Sequence, residues 1–116
     1  MRARPLIYLA GPMSGLPNFN HDAFNAAARA LRATGAQVCN PAENGLPANA
    51  PWEQHMRRDL RAMLLCDLIV LLPGWENSRG ANLEVQIARA LGIKIIPLAE
   101  FTPESCAAGA GAGAGA

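Results

Sequence analysis

Short apolar runs alternate with amphipathic stretches along this chain. Leu6-Ile7-Tyr8-Leu9-Ala10 ends at Gly11-Pro12 and predicts a buried strand. Residues 11–20 are rich in Gly, Pro, Ser and Asn and predict a loop. Phe24, Ala27, Ala28 and Leu31 then recur at helical spacing, predicting a helix over 21–34 capped by Asn20 and stopped by Gly35. Ala36-Gln37-Val38-Cys39 predicts a second strand, and residues 40–50 a polar, Pro-containing loop. Pro51 suits the first position of a helix running through 52–66, with Met56, Leu60, Met63 and Leu64 inward. Asp67-Leu68-Ile69-Val70-Leu71-Leu72 is apolar on both faces and predicts a central strand. Residues 78–92 read as a third helix closed by Gly92, and 93–98 as a fourth strand.

Strands alternating with helices imply right-handed βαβ units, hence a parallel sheet with helices on both faces. The expected strand order is 2-1-3-4, with a switch point between the first and third strands. Ligands bind such sheets at the carboxyl ends of the strands flanking that point. The predicted site walls are therefore residues 11–20 and 73–78.

One residue breaks the apolar pattern of the third helix. Glu84 shares a stripe with Ala88 and Leu91, beside the stripe of Leu83, Ile87 and Leu91, so it is expected to border the packed face. A carboxylate leaves water only if it is paired or hydrogen-bonded. Tyr8 is the polar side chain of the first strand, and Asp59 lies next to the inward Leu60. In the 2-1-3-4 order these three can meet around one cavity. Two carboxylates there suit glycosidic-bond chemistry, one attacking the anomeric carbon and the other assisting the leaving group. Each residue also has a plain structural reading: a core tyrosine, a surface ion-pair aspartate, a boundary glutamate reaching water.

Composition narrows the field. The chain has 116 residues, 51% of them hydrophobic, and a net charge of +1. That suits a single domain, over residues 1–106, and offers no broad field for a nucleic acid polymer or a membrane surface. Nine of the ten basic residues are Arg, which favours defined contacts to carboxylate or phosphate. Cys39, Cys66 and Cys106 follow no metal-ligand spacing. Cys39 and Cys66 are expected to be buried thiols in a reduced, cytoplasmic protein. Neither His21 nor His55 has a partner at metal spacing, and both are expected at the surface or at helix ends. No metal or cofactor is implied. Residues 107–116 are an Ala/Gly tail, expected to be disordered or foreign to the natural chain.

Further residues are candidates for ligand binding. Ser78, Arg79 and Gly80 open a helix, where free N–H groups and the helix dipole attract anions. Gly11, Pro12, Met13, Ser14 and Gly15 form the first loop and lack the Gly-Lys-Ser/Thr ending of a P-loop. Trp52 and Trp75 can stack on a base or cover the sheet end.

Three features together resemble a known group: Ile7-Tyr8-Leu9-Ala10-Gly11-Pro12, Asp59 eight residues before Asp67, and Ser78-x-Gly80-x-x-x-Glu84. They resemble the nucleoside 2-deoxyribosyltransferase superfamily, which includes the 2'-deoxynucleoside 5'-monophosphate N-glycosidases. Residues 11–20 and 72–81 look like signatures of its DUF4406 branch. The resemblance spans residues 7–98 and implies a single flavodoxin-like (Rossmann-like) α/β domain, a homodimer or higher oligomer, and a small-molecule nucleotide or nucleoside as ligand.

By position, Glu84 looks like the nucleophile that attacks C1', Tyr8 like the tyrosine that positions it, and Asp59 like the carboxylate near sugar and departing base. Ser78 stands where the nucleotide hydrolases bind the 5'-phosphate with a serine, and Arg79 beside it favours a nucleotide over a nucleoside. Gln86 and Asn82 depart from the small residues usual there, and the tail does not match the transferases' C-terminal segment. The expected reaction is cleavage or transfer at an N-glycosidic bond. A nucleotide or sugar-phosphate binding module without turnover is the alternative, and an NAD glycohydrolase a third reading.

Overall fold

The protein, described over residues 4–106 by a computed structural model, forms one parallel sheet flanked by helices. The Ala/Gly tail lies outside the described residues. Strands β1 (Leu6–Ala10), β2 (Gln37–Cys39), β3 (Leu68–Leu71) and β4 (Lys94–Pro97) are ordered 2-1-3-4. Tyr8 pairs with Cys39 on one side and Ile69 on the other. Three helices connect them: α1 (His21–Arg32), α2 (Trp52–Met63) and α3 (Arg79–Ala90).

The period-two pleat sorts the strand side chains between two layers. Ile7, Leu9, Leu68, Val70 and Leu72 pack with Phe24, Ala27, Ala28 and Leu31 of α1. Tyr8, Ala10, Ile69 and Leu71 pack with Met63 of α2 and Ala81, Val85 and Ala88 of α3. Thus α1 covers one face while α2 and α3 cover the other. The chain leaves β1 over the first face and enters β3 over the second, so the loops after β1 and β3 diverge and leave a crevice.

Several local expectations need correction. Helix α1 stops at Arg32 and α2 at Met63, short of Thr34 and Cys66. Gly35 turns the chain at φ +95°, and Leu65 and Cys66 bond back to Ala62 and Met63 in a tight turn. Asn20 does not cap α1 through its side chain: its backbone is left-handed, and its amide donates to the Pro12 carbonyl at 3.0 Å. Pro51 stands one place earlier than expected, at the N-cap. The buried stripe of α2 is Met56, Asp59 and Met63, while Leu64 is exposed. That of α3 is Ala81, Glu84, Val85 and Ala88, so Glu84 lies inside the packed face rather than at its border. The small Ala81 and Ala88 let α3 approach the sheet, which turns Glu84 inward and leaves Leu91 exposed. Cys66 is buried, but Cys39 on the edge strand is only half-buried.

Candidate active site

A cavity of about 560 Å³ opens at the carboxyl ends of the strands, between α2, α3 and the loops after β1 and β2. Tyr8, Asp59 and Glu84 all line it. Their exposures are 1%, 9% and 5%, so none behaves as a surface residue. The Tyr8 hydroxyl donates to Glu84 Oε2. The pleat sends Tyr8 toward α3, and the α3 stripe turns Glu84 back toward it. Glu84 makes no ion pair with Arg79 or Arg89 among the described residues.

Burial dominates the electrostatics. Loss of water pushes the Glu84 carboxyl up from 4.5 to about 8; the Tyr8 hydrogen bond opposes this and the nearby Asp59 charge adds to it. Burial and the Glu84 charge raise the Tyr8 hydroxyl. Burial raises Asp59 as well, opposed by an Asn44 hydrogen bond and by the charges of His55 and Arg58. Two carboxyls are therefore held in one enclosed site with different partners. Two carboxyls with different partners can divide nucleophile and acid–base roles between them.

The opening of α3 forms another wall. Ser78 Oγ accepts from the Ala81 N–H at 3.1 Å as the N-cap, which leaves the hydroxyl proton free to donate. The Arg79 and Gly80 N–H groups precede any intrahelical acceptor. A Cβ on Gly80 would come within 3.0 Å of Met56 Sδ, so glycine lets the end of α3 sit against α2. The Arg79 guanidinium lies 3.8 Å over the Trp52 ring, held beside the cavity by a cation–π contact.

The loop after β1 contributes Gly11, Pro12, Met13 and Ser14 to the cavity. Gly15 does not reach it: it is an exposed turn residue at φ +80°. Trp75 does not reach it either. The 3-10 turn at Trp75–Asn77 points that ring at the α3 face of the sheet, near Leu71 and Ile95. Trp52 lines the cavity, with Arg79 over its ring.

Sequence reasoning missed the third wall. The β2–α2 loop lines the cavity with Pro41, Ala42, Asn44, Leu46, Ala48 and Ala50. A long polar loop at the carboxyl end of a strand was the available signal. His21 and His55 stand in the first turns of α1 and α2 as expected of helix-end residues, yet both face the cavity. Among the described residues no group of three His, Cys, Asp or Glu could hold a metal ion, and no helix is long and apolar enough to cross a membrane.

A 2-1-3-4 parallel sheet with a crevice at its switch point is a doubly wound α/β fold. Within it the chain belongs to the family described as Domain of unknown function (DUF4406), matched over residues 5–97. A solved structure similar to it is a 2-deoxyribosyltransferase from the psychrotolerant bacterium Bacillus psychrosaccharolyticus. The two share 24% identity with a TM-score of 0.62, over 79% of this chain and 70% of that one. A comparison with curated proteins finds no match.

Proposed function

We propose that this protein cleaves or transfers at the N-glycosidic bond of a nucleotide, with Glu84 as nucleophile. The observation that carries this reading is the Tyr8–Glu84 hydrogen bond, buried yet lining a cavity that Asp59 also lines. In the proposed reaction Glu84 gives an electron pair to C1', and the C1'–N pair leaves with the base. Asp59 faces that departure and passes a proton to the base. Water then attacks C1', gives its proton back to Asp59, and displaces Glu84 as the carboxylate. Tyr8 holds the second carboxyl oxygen, which orients the first. The 5'-phosphate is assigned to Ser78, the first N–H groups of α3 and Arg79. The similar solved protein is named for 2-deoxyribosyl transfer, which supports a nucleoside or nucleotide as the ligand class. Homodimerisation through the helices also belongs to this reading.

Incubation with the common ribo- and deoxyribonucleoside 5'-monophosphates, read by chromatography for free base, tests the proposal. Release is expected to fall roughly 10⁴–10⁶-fold in Glu84→Ala. Release that survives that substitution moves the chemistry elsewhere; nucleotide binding without release makes the cavity a binding module. The pH profile assigns the role of Glu84. A nucleophile must be ionised and Asp59 titrates beside it, so the profile is read in Asp59→Asn, where residual kcat/KM should climb with pH through about 8. A profile that falls across the same range makes Glu84 the proton donor instead.

A further inference from the structure

We propose that Asn44 is a positioning residue for Asp59, acting from the β2–α2 loop through a side-chain amide shared between Asp59 and His55. The inference rests on the reading of Asp59 as the carboxylate that faces the leaving base. His55 and Asp59 are four residues apart on α2, on one helical face, and the Asn44 amide sits against both. Its Nδ2 lies 3.1 Å from Asp59 Oδ1 and 3.1 Å from His55 Nδ1.

The orientation of this amide is fixed by its other contacts. The Leu46 N–H donates to Asn44 Oδ1 at 3.0 Å, so the oxygen end faces the backbone and the NH₂ end faces α2. His55 Nε2 lies 3.0 Å from the Pro47 carbonyl, which can only accept. In neutral His55 the proton therefore sits on Nε2, and Nδ1 is bare to accept from Asn44. Every donor then meets an acceptor. Arg58 adds a third tie from α2, donating to the Asn44 carbonyl at 3.0 Å. The loop carrying Asn44 is thus clamped to the helix carrying Asp59.

This arrangement leaves Asp59 Oδ2 without a protein donor among the described residues, in a side chain that lines the cavity. One oxygen is held and the other is left for the ligand. The groups facing Asp59 are His55 and Arg58 from α2, Glu84 from α3 and Tyr8 from β1. Burial drives Asp59 toward its neutral form, and the Asn44 hydrogen bond is the first influence opposing that.

Asn44→Ala and Asn44→Ser test the proposal. Serine can still close the turn onto the Leu46 N–H but cannot span to both Asp59 and His55, so it keeps the test valid if alanine unseats the loop. The first readout is the carbon NMR titration of the Asp59 carboxyl, which requires no turnover. Its midpoint should rise in either folded variant. The second is base release, where kcat should fall about 10–10²-fold while KM stays within roughly threefold. An unchanged Asp59 midpoint in a folded variant overturns the proposal. If the wild-type protein releases no base, the functional reading fails, and the titration still decides whether Asn44 governs Asp59.

Discussion

The two faces of this sheet are built from the same strands and do different work. On the α1 face, Ile7 and Leu9 meet Phe24, Ala27 and Leu31 in an apolar layer, and the buried Asn40 donates to Asn25 of α1 at 2.9 Å, with no buried carboxyl on that face among the described residues. On the α2–α3 face, one residue along the same strand, Tyr8 meets Glu84, with Asp59 lining the same cavity. Hydrophobic burial stabilises the first layer roughly in proportion to area. The second accepts two buried carboxyls, which oppose stability unless neutral or hydrogen-bonded. The α1 face therefore only stabilises the fold, while the α2–α3 face joins an apolar layer of its own to an electrostatic cost at the cavity.

The largest effect should come from neutralising that cost. Glu84 has its carboxyl raised from 4.5 to about 8 by burial first. Between those values the unfolded chain has lost the proton while the folded protein keeps it. Stability contributed by this group is therefore complete below 4.5 and is lost as pH rises toward about 8. The shift sets a ceiling of ~5 kcal/mol on that loss. Glu84→Gln keeps an acceptor for Tyr8 and cannot ionise. It should match the wild-type protein near pH 4 and exceed it in urea denaturation above pH 8, while releasing no base. Identical pH dependence of stability in the two proteins would mean that Glu84 is not held neutral by burial, and the contrast between the faces would fall.

The apolar face should respond with the opposite sign. Leu31 is 2% exposed within the α1 layer and lies outside the cavity. Leu31→Ala should remove ~2–5 kcal/mol of stability, nearly independently of pH. Base release per folded molecule should not change. A loss of kcat in folded Leu31→Ala would show that the faces are mechanically coupled, and that the division drawn between them is too sharp.

How much of this could be read from the residues follows from the same division. Apolar periodicity marks the strands, and alternation with helices marks a parallel sheet, because burial is a one-dimensional pattern projected onto two faces; 2-1-3-4 is one of the common orders that such a sheet takes. Tyr8, Asp59 and Glu84 were legible as polar residues placed against that pattern. The depth of Glu84 was not, since it depends on how closely Ala81 and Ala88 let α3 approach the sheet. Trp75 illustrates the limit at loops: a 3-10 turn decides which side of the sheet the ring visits, and no periodicity encodes that. Asn44 was silent for a related reason. It is one Asn in a polar loop, and its significance comes from the two α2 side chains that its amide reaches.

The smallest effect belongs to the residue where the faces meet. Gly11 lines the cavity, yet a Cβ there would come within 2.7 Å of Leu72 Cβ, a member of the α1-face layer. Real Cβ contacts are not that short, and Leu72 sits at the end of β3 with 1% exposure and no room to retreat. Gly11→Ala should therefore shift the start of the β1–α1 loop and destabilise by ~1–3 kcal/mol through overpacking. The loop carries Pro12, Met13 and Ser14, all of which line the cavity, so the same shift should raise KM for the nucleotide. Trimming the far partner separates the two consequences. Leu72→Ala in the Gly11→Ala background removes the clashing branch but keeps Cβ, so it should recover only part of the KM increase while lowering stability further. Full recovery of KM would locate the strain in the Leu72 branch, and no recovery would locate it in the Cβ–Cβ contact between the two strand ends.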